Sequence, residues 1–330
     1  MQLKERILHR SLILILISMM LLSSGCQLIS RVPQNQPPTG AAQSSEGTND
    51  AHPLNGKIIA MTTGGAVSRE ALLAKIRHSR FVLIGEKHDN PEHHQRELQL
   101  LKALQQGPQT RLVLEMLDEQ QGEAINGLNS ASSETQIQEQ LHWNDNSWPW
   151  QDYGPLIGAA LSNNNQLRAG NLSKPFLMQI YQSGVPDQPR LTTVRGISQT
   201  IRSTIQQQVY ESHCRTMPFE QMGPMTDIQM SRDASMAYAL SDQLGKQMQA
   251  ILITGAFHAR KDTGVPQHLK ELTSDPVITI LLTEVDDSIK TVQEAVNNNA
   301  GIADYIWFTS RSEEKDYCAS LRQQPHKKEP

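Results

Sequence analysis

Residues 81–90 read FVLIGEKHDN. Phe81-Val82-Leu83-Ile84 is an apolar run without period-two alternation, the pattern of a strand buried on both faces. Gly85 follows at once, and then come the ionisable residues Glu86, Lys87, His88 and Asp89. Pro91 opens a helix with the sequence PEHHQRELQLLKALQQ, with proline in its first turn and Gly107 after its end. Upstream, Ser68 is placed to cap a helix over Arg69 to His78. Downstream, Leu112-Val113-Leu114 forms a second short apolar run and ends on Glu115.

The same alternation continues along the chain. Weak helical character runs from Glu119 to His142, and Tyr153 to Leu161 reads as helix. Leu167 to Ala169 reads as a strand, and Ile197–Cys214 and Asp227–Leu244 as helices. Ile251 to Thr254 is a strand ending at Gly255, Val265 to Leu272 a helix, and Val277 to Leu282 a further strand. Strands separated by helices argue for βαβ units. The expected class is α/β, with a mostly parallel sheet flanked by helices. A helix-rich insertion at about 119–245 is expected to form a lobe over one end of the sheet.

Three of the strands deliver Glu or His at their carboxyl ends: Glu86 and His88, Glu115, and His258 in Gly255-Ala256-Phe257-His258. Ligands of open α/β sheets bind at that edge. An unpaired carboxylate next to a core strand is costly, so three such coincidences point to one site. Two Glu and two His suffice for a divalent metal, and Glu86, His88, Glu115 and His258 are its candidate ligands. The alternative is a buried Glu–His hydrogen-bond network. No HExxH motif is present. His93 is the member of the His93-His94 pair expected to point back to the strand end, while His94 is expected to face elsewhere. Gln229, Arg232 and Asp233 form a polar group on a helix; Arg232 is a candidate anion clamp, and a solvated helix face is the other reading. Trp143, Trp148, Trp150 and Tyr153 form an aromatic cluster that suits either lobe packing or a flat apolar ligand.

The 330 residues carry a formal net charge of −4 and 5% aromatic residues. That gives no basic stripe for nucleic acid and no stacking platform for single strands. At the N-terminus, Lys4, Arg6 and Arg10 precede the uncharged run SLILILISMMLL at 11–22. That run is shorter than the ~20 residues of a spanning helix and fits a signal peptide. Ser23-Ser24-Gly25-Cys26 resembles a lipobox. Residues 1–25 are therefore expected to be a lipoprotein signal peptide and Cys26 the lipidated residue, with Gln27 favouring the outer membrane by similarity to enterobacterial sorting rules. Residues 26–55 are rich in Pro, Gln, Ser and Gly and read as a flexible tether. The folded part is expected over 56–310, with a polar C-terminal tail at 311–330. Cys214 and Cys318 remain, and in an oxidising compartment they can close a disulfide or stand as two buried thiols.

The strings GEKHDNPEHHQRELQLL at 85–101, LVLEMLDEQQ at 112–121, WPWQDYGPLI at 148–157, QMSRDASMA at 229–237, ITGAFHARKDTGVPQHL at 253–269 and ADYIWFT at 303–309 occur in one order. Together they resemble the ChaN family of iron-regulated, haem-binding lipoproteins. The resemblance implies haem binding in iron acquisition, a homodimer enclosing cofacial haems and ligation of ferric haem by tyrosine; the anchor and tether suit exchange with an outer-membrane partner such as a haem receptor. Tyr153 is the first choice for that tyrosine, ahead of Tyr181, Tyr210 and Tyr238, with Tyr305 read as structural. Tyr153, His258, Arg232 and His93 are the candidate haem-site residues. The family is similar in turn to the Tiki and erythromycin-esterase-type superfamily. That similarity implies a rival, a metal-dependent hydrolase with Glu86 or Glu115 as base. A third reading is a scaffold lipoprotein whose Glu/His cluster is structural.

Overall fold

The computed structural model describes residues 52–162 and 165–319. Cys26, the expected signal peptide, all but the last few residues of the expected tether and the end of the expected polar tail lie outside the described residues. Among the described residues no helix is long and apolar enough to cross a membrane.

The chain enters through a hairpin of two three-residue strands, β1 (Ile58–Ala60) and β2 (Gly65–Val67). Helix α1 (Arg69–Ile76) follows, capped as expected by the Ser68 hydroxyl, which accepts from Ala71 N–H at 3.1 Å. Strand β3 (Phe81–Glu86) is buried throughout and leads to α2 (Pro91–Leu104) and β4 (Thr110–Asp118). Short helices α3 (Gly122–Asn126) and α4 (Glu134–Gln140) precede α5 (Trp150–Leu161) and β5 (Gln166–Asn171). Next come α6 (Lys174–Ser183), a 3-10 stretch (Pro189–Gly196), α7 (Gln199–Ser212) and α8 (Gly223–Ser241). The chain closes with β6 (Gln249–Gly255), the one-turn α9 (Ala256–Ala259), α10 (Val265–Leu272), β7 (Val277–Glu284), α11 (Val292–Asn298) and β8 (Tyr305–Thr309).

The strands form one sheet in the order β2-β1-β8-β7-β3-β6-β4-β5. From β8 to β5 all neighbours are parallel; β1 joins β8 antiparallel and carries β2 at the edge. Alternate residues of the central strands feed opposite faces. Val82, Ile84, Leu112, Leu114, Ile251 and Ile253 pack under α2 and α5. Leu83, Val113, Ala250 and Leu252 pack with Met236 and Leu240 of α8 and Val265 and Leu269 of α10. At ~25 cal/mol per Å² of apolar surface removed from water, these two layers are the main drive for the fold. The expected helix-rich stretch divides in two. Residues up to Leu161 pack into the first of these cores, whereas Leu177, Ile180, Ile205, Val209, Met225 and Ile228 build a third apolar cluster of their own.

Topology places the site. From β3 the chain moves one way along the sheet to β4, and from β6 it moves the other way to β7. Right-handed crossovers therefore send α2 and α10 to opposite faces, as the two clusters show. The crevice between β3 and β6 is the switch point where open α/β sheets bind ligands. Gly85 closes its floor: a Cβ there would lie 2.6 Å from Leu281 Cδ2 and 2.8 Å from Ala259 Cβ.

Candidate functional site

Glu86 ends β3 and Glu115 lies in β4, 2% and 4% exposed. β4 pairs with β6 only as far as Leu114↔Ile253, and there the Glu115 side chain takes over the ladder. Its Oε2 accepts from Thr254 Oγ1 at 2.6 Å and from Gly255 N–H at 2.8 Å. Its Oε1 lies 3.5 Å from His258 Nε2, and its Oε2 3.8 Å from His88 Nε2. Gly255 leaves room for that approach, since a Cβ would stand 2.8 Å from His88 Nε2. The other nitrogen of His258 is 2.6 Å from Asp233 Oδ1, and the other nitrogen of His88 is 2.8 Å from Glu86 Oε1. Tyr153 donates its hydroxyl to the same Glu86 oxygen at 2.9 Å. Glu86 Oε2 faces His94 Nε2 at 3.0 Å, and His94 Nδ1 faces Asp152 at 3.4 Å. Carboxylates and imidazoles thus alternate from Asp233 through His258, Glu115, His88, Glu86 and His94 to Asp152.

This alternation sets the charges. Burial pushes the Glu115 carboxyl up, but the adjacent His258 and His88 outweigh it and hold the group at about 2. Burial acts likewise on Glu86, and His88 and His94 hold it well below the usual carboxylate range. Burial pulls His88 down, and Glu86 and Glu115 raise it to about 9. His94 and His258 are raised by their carboxylates against the same burial. Asp233 is pushed up by burial to about 6. Glu97, wholly buried beside Glu86, is pushed well above the carboxylate range by burial and by its neighbour's charge.

An open cleft of ≈ 1450 Å³ lies over these strand ends. His88 is its most accessible relay member, with a side chain 38% exposed. The Trp148 ring meets His88 edge-on at 5.0 Å, and Phe257, 54% exposed, stands at the lip. Lys315 and Tyr317 of the C-terminal segment line the opposite rim.

Glu86, His88, Glu115 and His258 are therefore together, and several other expectations need correction. Among the described residues no group of three or more His, Cys, Asp or Glu is arranged to hold a metal ion, so the divalent-metal reading of the four gains no support; the Nδ1 atoms of His88 and His258 are engaged by Glu86 and Asp233. Tyr153 is fully buried, donates its hydroxyl to Glu86 and is not a lining residue of the cleft. His93 points back to the strand end as expected, accepting from Lys87 N–H at 2.9 Å and lying 2.8 Å from Thr309 Oγ1, with burial pulling it down to about 4; it is a neutral latch that does not line the cleft, and His94, expected to face elsewhere, joins the relay. Arg232 is half-buried and is not a lining residue of the cleft, whereas its neighbours Gln229 and Asp233 both contact His258. The aromatic cluster splits between core Tyr153 and cleft-lining Trp148.

Sequence reasoning missed Glu97, Asp152, Lys315 and Tyr317. Glu97 carried a signal, since it stands three residues after His94 on the same helix face. The segment Arg311–Ala319, expected as the start of a polar tail, is held: Ser312 donates to Glu284 from N–H (2.8 Å) and Oγ (2.7 Å), Lys315 lies 3.4 Å from Asp89, and Cys318 is disulfide-bonded to Cys214 with Cα atoms 5.7 Å apart, the first of the two states open to these cysteines.

No curated protein matches the chain significantly. Among solved structures, it is similar to one of cofacial haem binding to ChaN of Campylobacter jejuni, with 20% identity and TM-score 0.63 over 76% of this chain and 95% of that one. Looser likenesses are to the erythromycin esterase EreC in its open conformation (13% identity, TM-score 0.42, 70% and 76% of the two chains) and to the C-terminal region of Pasteurella multocida toxin (12%, 0.41, 70% and 26%). The family model described as haem-binding uptake, Tiki superfamily, ChaN matches residues 72–269, more than half of the sequence and the whole relay from Glu86 to His258. The chain belongs to the ChaN family of haem-binding uptake proteins.

Proposed function

We propose that this protein binds haem in the cleft above the relay and serves haem uptake, with Tyr317 in the iron-ligating role first sought at Tyr153. The family match across the site carries the reading. The cleft fits a flat macrocycle. Its ≈ 1450 Å³ exceeds the ~300–1,000 Å³ of ordinary small-molecule pockets, and Trp148 and Phe257 offer it apolar surface. Tyr317 is the tyrosine that lines this cleft among the described residues, and its hydroxyl donates to Asp89. A phenolate is a hard anionic donor suited to ferric haem. Ligation would release the phenolic proton to solvent, with Lys87 and Lys315 at 3.6 and 3.4 Å from Asp89 to balance the charge gathered there. We further infer a lipid anchor on Cys26 facing the periplasm from the outer membrane, and a homodimer closing over the exposed rings of Phe257 and Tyr317, with an outer-membrane haem receptor as its exchange partner.

Haemin titration tests the core of this. A saturable Soret shift with high-spin tyrosinate bands is expected for wild type and Tyr153→Phe, and loss of those bands for Tyr317→Phe. No saturable change at micromolar haemin would refute haem binding. Sedimentation with haemin reads the dimer, and loss of membrane association in Cys26→Ser reads the anchor.

One observation favours a second reading, an acid–base hydrolase: the Glu86–His88 pair at 2.8 Å opens onto the cleft. It requires turnover of an ester or amide that disappears in His88→Ala.

A further inference from the structure

Helix α7 walls the cleft with Gln208, Val209 and Ser212. Just beyond it, Cys214 and Arg215 turn with φ of 58° and 56°, which sets Cys214 at that wall's end. On the other side the chain leaves β8 and is tied down at Ser312, whose hydroxyl lies 2.8 Å from Lys87 Nζ. From there Glu313 to Tyr317 are all exposed and form no helix or strand. This strap passes Asp89, which faces Lys315 and accepts from Tyr317, and reaches the disulfide one residue later. The bond thus joins the sheet side of the cleft to the lobe side, across 104 residues of sequence.

We propose that the Cys214–Cys318 disulfide is a redox latch: oxidised, it holds the strap and Tyr317 across the cleft; reduced, it releases the strap and opens the cleft. Five consecutive exposed residues bury too little apolar surface to offset the entropy of ordering them. The contact between Lys315 and Asp89 is a solvent-facing ion pair of the weak kind. The covalent tie supplies the remaining constraint. The reductant is a dithiol. One of its thiolates attacks a latch sulfur to give a mixed disulfide, and its second thiol displaces the protein sulfur. Two electrons and two protons then reside on Cys214 and Cys318, and the reductant leaves as a disulfide. The effect on haem rests on the function proposed above; the latch itself does not.

The test is hydrogen exchange on the full chain, oxidised and after dithiothreitol, with the Cys214→Ser/Cys318→Ser double variant beside it, followed by haemin titration of each. Release predicts a rise of ~100-fold in amide exchange at 317–319, whose N–H groups are hydrogen-bonded in the turn at the disulfide, with β3 and β6 unchanged. It also predicts haemin binding weakened on the order of 10-fold, to the level of Tyr317→Phe. Unchanged protection of the strap overturns the latch. Protection lost throughout β3 and β6 overturns it too, because the disulfide would then be a staple of the whole fold. Faster strap exchange with equal haemin affinity in both redox states refutes control of the site. If the oxidised wild type binds no haemin, the functional reading fails alone, and the exchange data still decide the latch.

Discussion

Replacing Glu115 with Gln keeps the volume at the centre of the relay and removes its charge. The carboxylate is 4% exposed and stands within 4 Å of two imidazoles. Its folded value of about 2, against an ordinary 4.5, corresponds at ~1.4 kcal/mol per decade to about 3 kcal/mol of stability at neutral pH. The value is depressed in the folded state, so this contribution is complete above pH 4.5 and is lost as pH falls toward 2. Glu115→Gln should therefore be about 3 kcal/mol less stable than wild type at pH 7, or roughly 6–12 °C in Tm. The gap should shrink to roughly 1 kcal/mol at pH 3, where the wild-type carboxyl has lost most of its advantage. Urea unfolding followed by circular dichroism and tryptophan fluorescence at both pH values measures it. Equal stability at pH 7, or a gap that stays constant between pH 7 and 3, would refute the ion-pair reading and leave Glu115 as a simple hydrogen-bond acceptor for Thr254 and Gly255.

The other outcomes follow from single contacts. Tyr153→Phe removes the donor at 2.9 Å from Glu86 and should cost ~1.5–3 kcal/mol in thermal melts, as a hydrogen bond to a charged group does; an unchanged Tm would place the phenol outside the relay. His93 titrates at about 4, below its ordinary 6.5, so its contribution is present above pH 6.5 and lost as pH falls toward 4. His93→Gln should flatten that part of the stability profile, and a profile identical to wild type would remove His93 from the latch. Gly255→Ala puts a Cβ 2.8 Å from His88 Nε2 and should drive the ring from Glu115. The His88 NMR titration, expected near 9 in wild type, should then move toward 6.5, and no movement would mean that Glu115 does not hold His88.

The central strands and the edge that carries the site were legible because their signals are local. Phe81 to Ile84 is too apolar for anything but a buried strand, and a strand buried on both faces implies crossovers and a ligand edge. What was lost depends on directions that spacing does not fix. His93 and His94 differ by ~100° on a helix, and only the tertiary positions of Thr309 and Glu86 decide which ring enters the relay. Ligand types were also readable without their orientation: Glu and His suited a metal, but in the fold each turns to the other. Strands β1 and β2 are three residues each, too short for a pattern. The segment beyond Ser310 looked free because its composition is polar, although Glu284, Asp89 and a cysteine from α7's end hold it.

The relay also explains why recognition belongs to the rim. Between β3 and β6 the two crossovers diverge and leave a crevice that apolar side chains from either face do not fill. Burying single charges there would be prohibitive. An alternating row lets Glu115 and Glu86 each serve two imidazoles and each imidazole two carboxylates, with Asp233 and Asp152 closing its ends, so the strand ends stay charged and close-packed. Little of that charge is left for a ligand, because Glu86, Glu115 and Asp233 are almost wholly buried, and His88 and the end member Asp152 supply the accessible surface. A bound molecule therefore meets one imidazolium edge, the rings of Trp148 and Phe257, and the strap with Lys315 and Tyr317. Substitutions in the relay should act mainly on stability and on the charge of His88, and those at the rim on what binds. Glu115→Gln that abolished haemin binding while leaving stability intact would invert that division.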